Sequence, residues 1–192
     1  MASYDYGKDK VIARLLRLAS KSSMTGPLRV LDVGACDGKW ARMIYEAVYK
    51  VKEAAFLKDE IGPEVCIDAV EIFKPSASKI LELYDNIFVG NIYNYHYGFH
   101  QYDIIIFGDV IEHMEVAPAQ YVLDYARGNC SADIIVGVPF KYKQGPLYGN
   151  PWEKHVQDDL TPELMAERYP FLELMFQAAP DYAYYHMKGG AL

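Results

Sequence analysis

The chain has 192 residues, 52% of them hydrophobic and 23% charged, with 19 Lys and Arg against 26 Asp and Glu for a formal net charge of −7. This composition gives a length fit for one domain with a sizeable core and excludes disorder of the whole chain. The acidic balance argues against a phosphate backbone, so no nucleic-acid partner is expected. Cys36, Cys66 and Cys130 lack metal-ligand spacing and read as thiols in a reducing compartment. No apolar run reaches membrane-spanning length and Met1–Lys10 holds no signal-peptide core, so a cytoplasmic protein off the membrane, monomeric or homodimeric, is expected.

In chain order, Val11, Leu15, Leu16, Leu18 and Ala19 make an apolar stripe, with Lys10, Arg14, Arg17 and Lys21 mostly opposite. That periodicity predicts an amphipathic helix in an N-terminal extension, residues 1–28, packed on its own domain. Thr25-Gly26-Pro27 breaks the chain before a strand at Arg29–Val33, and a helix runs from about Lys39 into the fifties. Gly62-Pro63 precedes a second strand, Val65–Val70, and Pro75 opens a helix to about Leu83. Strands are predicted at Asn86–Val89, at Asp103–Phe107, apolar enough to be buried on both faces, and at Ile134–Val138. Between the last two, Ala119–Arg127 reads as a helix capped by Gly128-Asn129. Residues 139–160 form a long loop, a candidate substrate loop. Thr161-Pro162-Glu163 starts a helix, and Phe171–Gln177 with Tyr182–Lys188 forms a terminal hairpin. Alternating strands and helices with right-handed crossovers make a doubly wound α/β sheet in a single domain, 1–192.

The segment Asp32-Val33-Gly34-Ala35-Cys36-Asp37-Gly38 ends the first strand, at the sheet edge where open α/β folds bind ligands. A dinucleotide site needs Gly-x-Gly-x-x-Gly, and Cys36 and Lys39 stand where the second and third glycines belong. Asp37 inside the turn would also repel a pyrophosphate. An acid beside the glycines suits a ligand with a positive group, and S-adenosylmethionine carries an ammonium and a sulfonium but no phosphate.

On these residues the segment resembles the first motif of class I S-adenosylmethionine-dependent methyltransferases, and the likeness extends over most of the chain. The resemblance implies a seven-stranded, mostly parallel sheet in the order 3-2-1-4-5-7-6 with strand 7 antiparallel, between two helical layers. It implies S-adenosylmethionine as cofactor, with Asp32, Gly34, Ala35, Cys36 and Gly38 in the turn. Glu71 corresponds to the acid that holds the ribose hydroxyls, with Ile72 and Phe73 beside it, and Asn91, followed by Ile92, to the residue that touches the adenine. Asp32 would orient the turn or reach the cofactor's ammonium.

After the fourth strand, Gly108-Asp109-Val110-Ile111-Glu112-His113 resembles the Asp-Val-Ile-Glu-His segment of a methyltransferase subgroup that includes many small-molecule O- and N-methylating enzymes. Gly108 and Asp109 would face the methionine part of the cofactor. His113 and His155 are the candidate bases, and Asp109 and Glu112 complete the catalytic set. No metal is expected; the alternative is a divalent ion at Asp109, Glu112 and His113, with His155 as a further ligand, since some relatives bind one at that spacing. In the 148–155 loop, Tyr148 and Trp152 with Glu153 and His155 could close as a substrate lid, or Trp152 could plug the core. Tyr93, Tyr95, His96, Tyr97, Phe99, His100 and Tyr102 would pack over the adenine pocket. The expected reaction moves a methyl group to an oxygen or nitrogen of a small-molecule or glycan-like acceptor. The alternatives are an RNA or protein acceptor, or a cofactor-binding module without catalysis.

Overall fold

A computed structural model describes residues 7–21, 26–56, 64–95, 98, 102–147 and 149–190. Thr25, Gly62, Pro63, His96, Tyr97, Phe99, His100 and Tyr148 lie outside the described residues. Seven apolar runs form one sheet: β1 (Leu28–Val33), β2 (Val65–Glu71), β3 (Asn86–Val89), β4 (Ile104–Gly108), β5 (Asp133–Pro139), β6 (Glu173–Ala179) and β7 (Tyr182–Lys188). Their order is β3-β2-β1-β4-β5-β7-β6, with β7 antiparallel to both neighbours, as the family resemblance implies. Register slips between Leu174 and Phe176 and between Gln177 and Ala179 bend the outermost strand, a common way to blunt a sheet edge.

The helices are α1 (Lys8–Lys21), α2 (Lys39–Phe56), α3 (Lys74–Ala77), α4 (Ile92–Tyr95), α5 (Val116–Asn129) and α6 (Pro162–Arg168). Because side chains alternate along a strand, the sheet builds a core on each face. Leu31, Val33, Ile105, Phe107 and Val136 pack against Val122, Leu123 and Ala126 of α5. Val30, Ile104, Ile106 and Ile135 pack against Val11 and Leu15 of α1 and Ala41 and Ile44 of α2. Complete burial of each such Val, Leu, Ile or Phe side chain contributes about 1.5–3 kcal/mol. No helix among the described residues is long and apolar enough to cross a membrane.

Three local expectations are corrected. The helix after Pro75 stops at Ala77, and a separate 3-10 turn covers Leu81–Leu83. Ile80 is buried at the break, and beyond it Tyr84 reaches Asp32 while the Asp85 carboxylate accepts the Ile67 N–H. α5 starts three residues early, because Pro118 falls in its first turn, where a missing N–H costs nothing. Its far end runs through Gly128 and Asn129: Asn129 Nδ2 donates to the Tyr125 carbonyl and the Cys130 N–H to the Ala126 carbonyl, so no left-handed glycine cap is needed. Elsewhere the start signals hold, with Thr161 Oγ1 accepting the Leu164 N–H and Pro162 in the first turn of α6.

Candidate functional site

The carboxyl ends of β1, β2, β4 and β5 and the residues that follow β3 converge on one cavity of about 380 Å³. It opens where the strand order reverses, between β1 and β4. Its floor is the turn after β1. Gly34 has φ +72°, and a Cβ there would come within 2.8 Å of Val110 Cγ2; its N–H donates to the Val70 carbonyl, tying the turn to β2. Gly38 has φ +75°, and a Cβ would meet Leu83 Cδ1 at 2.5 Å. Between them Cys36 adopts φ +48°, a conformation that costs an ordinary L residue about 1–2 kcal/mol. Burial pushes its thiol up to about 11.

Glu71 ends β2 and anchors this turn. Its Oε2 accepts the Cys36 N–H at 2.8 Å and its Oε1 the Phe73 N–H at 2.7 Å. Burial holds its carboxyl above the ordinary range, and the Phe73 and Cys36 amides pull it back. Asn91 Oδ1 accepts the Tyr93 N–H at 3.0 Å and so starts α4. On the other side, Asp109 has φ +58° and its Oδ1 accepts the Tyr182 hydroxyl at 2.9 Å. Gly137 makes room for that contact, since a Cβ there would lie 2.7 Å from the Tyr182 oxygen. Gly108 leaves room for Trp40, which lines the cavity.

Of the residues that the sequence nominates, Gly34, Ala35, Cys36, Glu71, Ile72, Asn91, Ile92, Gly108, Asp109, Glu112, His113 and His155 line the cavity. Asp32, Gly38 and Phe73 do not. Of the two roles expected of Asp32, the geometry matches orienting the turn and not reaching the ammonium: its side chain alternates to the α1–α2 face, fully buried, where it accepts the Tyr84 hydroxyl at 2.6 Å. Burial raises it to about 7, against the hydrogen bond from Tyr84 and the attraction of the buried Lys8. It therefore braces the turn from behind. Phe73 precedes α3 outside the lining. Of the aromatic stretch, Tyr93 lines the cavity, while Tyr95 and Tyr102 share a hydrogen bond and Tyr102 donates on to Asp68.

The segment after β5 packs as a wall. The Val156 and Gln157 amides both donate to the Glu112 carbonyl, and Gln157 Nε2 donates to the carbonyls of Ile111 and Met114. This brings His155 beside Glu112 and His113, with the two imidazole centroids 4.7 Å apart. One potential ligand atom from each of Glu112, His113 and His155 lies within 4.8 Å of the others. His113 Nδ1 lies 3.1 Å from the Lys154 carbonyl and His155 Nδ1 2.7 Å from the Tyr142 carbonyl. A carbonyl only accepts, so each Nδ1 carries the proton and each Nε2 keeps its lone pair. Burial lowers His113 to about 4 and lowers His155 as well, so both are neutral at pH 7. Glu112 is 1% exposed, neither carboxyl oxygen has a hydrogen-bond partner among the described residues, and burial, then the Asp109 charge, pushes it far up. Two imidazoles and one carboxylate suit zinc, manganese or ferrous iron better than the oxygen-rich set the sequence suggests. Asp109 stands outside this group. A second group, Cys66, Asp68 and Asp85, sits toward the amino end of β2, where Ile67, Asn86 and Tyr102 already donate to its carboxylates.

Sequence reasoning placed Glu153 in the candidate lid loop but gave it no electrostatic role in the site. It lines the cavity, its field raises Cys36, Glu71 and Glu112, and Gln144 and Asn150 donate to its carboxylate at 3.3 Å. Nothing in its local sequence marks that role. Trp152 is 53% exposed, which removes the alternative of a core plug.

Solved structures share this architecture. A methyltransferase from Archaeoglobus fulgidus, described as S-adenosylmethionine-dependent, is 15% identical, with 94% of each chain covered and a TM-score of 0.58. The bifunctional kinase-methyltransferase WbdD is 16% identical over 97% of this chain, TM-score 0.61, and this chain spans only 40% of its length. Magnesium protoporphyrin IX methyltransferase from Synechocystis PCC 6803, solved with bound S-adenosylmethionine, is 9% identical over 95% of this chain and 79% of its own, TM-score 0.55. No family model and no curated protein sequence matches the chain. At these identities the likeness establishes the fold, which is that of class I methyltransferases.

Proposed function

We propose that the chain is an S-adenosylmethionine-dependent methyltransferase acting on an oxygen or nitrogen of a small-molecule or glycan-like acceptor. The observation that carries this is the charge of the cavity. Asp37, Glu71, Asp109, Glu115 and Glu153 line it against Lys39 alone, among the described residues, with Glu112 left out of the count because burial pushes its carboxyl far up. A pyrophosphate would meet repulsion there, and the Cys36 amide it would need already donates to Glu71. A ligand with an ammonium and a sulfonium meets attraction.

S-adenosylmethionine, when bound, supplies a methyl on a sulfonium, so the protein has mainly to align a nucleophile and exclude water. Glu71 has a remaining lone pair on each oxygen for the ribose hydroxyls, and Asn91, Ile72 and Ile92 border the adenine end. Gly108 and Asp109 border the methionine end, with Tyr182 holding the Asp109 carboxylate in place. Neutral His113 and His155 present Nε2 lone pairs that take the acceptor's proton.

A second reading adds a divalent metal, favoured by the fit of Glu112, His113 and His155: a paired set of lone-pair nitrogens beside a carboxyl that has no hydrogen-bond partner among the described residues. Such an ion would lower the pKa of an acceptor hydroxyl. Calorimetric titration tests the main reading: S-adenosylhomocysteine should bind and NAD should not, and the reverse preference would refute it.

A further inference from the structure

Methyl transfer from S-adenosylmethionine leaves the acceptor open, and the wall after β5 narrows it. Among the described residues, Trp152 alone of the exposed large apolar side chains lines the cavity. An indole left half in water at a cavity rim gains nothing from core packing, and such exposed apolar surface marks binding. Its backbone is fixed. Asn150 Oδ1 accepts the Trp152 N–H at 3.0 Å, Gln144 Nε2 donates to the Glu153 carbonyl at 2.7 Å, and the His155 N–H donates to the Gln144 carbonyl at 3.0 Å. The ring is thus presented by a held turn. Trp152 lies three residues before His155, in the wall that carries both histidines of the cavity.

Charge at this rim is one-sided. Glu115 and Glu153 contribute carboxylates, while the lining cation, Lys39, belongs to the β1 turn; Lys143 and Lys154 are exposed and outside the lining. An anionic acceptor is repelled here. A cationic one is drawn by those carboxylates but meets the sulfonium of the donor at the point of transfer, where two like unit charges 4 Å apart cost about 4 kcal/mol at an effective dielectric of 20 and outweigh that attraction. Both signs are disfavoured, and the aromatic rim favours a flat face.

Resting on the methyl-transfer reading, we propose that Trp152 is the platform for the flat face of an uncharged ring, aromatic or pyranose, whose hydroxyl reaches His113 and His155. The two ring types share the recognised chemistry, an apolar face bearing a hydroxyl.

Ligand-observed NMR titrations of the full chain loaded with sinefungin, an analogue that cannot transfer a methyl and carries a charged amine where S-adenosylmethionine carries its charged methyl, test this, with phenol, methyl glucoside, benzoate and benzylamine as probes. Phenol or the glucoside, whichever ring the site takes, should bind at least tenfold tighter than benzoate and benzylamine. Trp152→Ala should weaken that probe roughly three- to tenfold, the worth of a ring contact. Its S-adenosylhomocysteine affinity should stay within twofold, showing an intact fold. Glu153→Gln should improve benzoate and leave phenol unchanged. The inference is overturned by tighter binding of a charged probe, by neutral-ring binding indifferent to Trp152→Ala, or by no probe binding to the loaded protein. Failure of S-adenosylhomocysteine itself to bind would overturn the methyl-transfer reading instead, and this inference with it.

Discussion

Replacing Glu71 with alanine separates the two tasks its carboxylate performs. Each oxygen already accepts one backbone N–H, from Cys36 at 2.8 Å and Phe73 at 2.7 Å. The remaining lone pairs are those offered to the ribose. A charge-assisted hydrogen bond is worth about 1.5–3 kcal/mol, and water fills part of the gap that alanine leaves. A net loss on that scale raises the Kd for S-adenosylhomocysteine about 10- to 150-fold. Without ligand, the two freed amides face a cavity that water enters, so the fold should lose about 1–2 kcal/mol, or roughly 2–8 °C in Tm for a chain of this size. Glu71→Gln keeps an acceptor for one amide and should fall between. Titration calorimetry reads the first effect and thermal melting the second. A folded Glu71→Ala protein with Kd within twofold of wild type would refute the ribose assignment. An unchanged Tm would refute the anchoring of the turn.

The histidine pair gives a pH prediction. Burial holds His113 near 4, so the acid limb of the rate should fall well below the ordinary 6.5, and alanine at either histidine should reduce turnover about 100-fold or more with cofactor affinity kept; wild-type rates from both variants would remove them as bases. Zinc or manganese should raise the Tm of the wild type, and His155→Ala should abolish the rise; equal rises in both would place the ion elsewhere. Asp32 carries a stability signature. Its folded value of about 7 lies above its ordinary 3.8, so its contribution is full below 3.8 and is lost as pH rises through about 7. His113 has the opposite sign, full above 6.5 and lost as pH falls toward 4. The Tm of Asp32→Asn relative to wild type should therefore climb between pH 4 and 7, and a flat difference would contradict the buried acid.

The sheet was legible because its central strands are unbroken apolar runs and the chain alternates strand with helix. The turn after β1 was legible for the same local reason, since Gly34 and Gly38 do adopt positive φ. Asp32 kept two open roles because a motif names a residue but not the face its side chain takes. Alternation gave the hint, as Asp32 shares the face of Val30 and not of Leu31, while its partner Tyr84 lies 52 residues away. Nor could spacing show that His155 would join Glu112 and His113. That meeting depends on Val156 and Gln157 bonding to the Glu112 carbonyl, a contact between distant segments. Glu153 follows from the same packing. Helix ends misled where generic signals competed with tertiary contacts, as at Gly128-Asn129 and Ile80.

The central claim is that the acid-lined cavity holds S-adenosylmethionine with its ribose on Glu71 and its sulfur toward the Glu112–His113–His155 wall. Crystallography of the complex with S-adenosylhomocysteine measures this directly. Both ribose hydroxyls should lie within hydrogen-bond distance of the Glu71 carboxylate, with the sulfur facing His113 and His155. A ligand lying elsewhere, or in the cavity with its ribose away from Glu71, would contradict it.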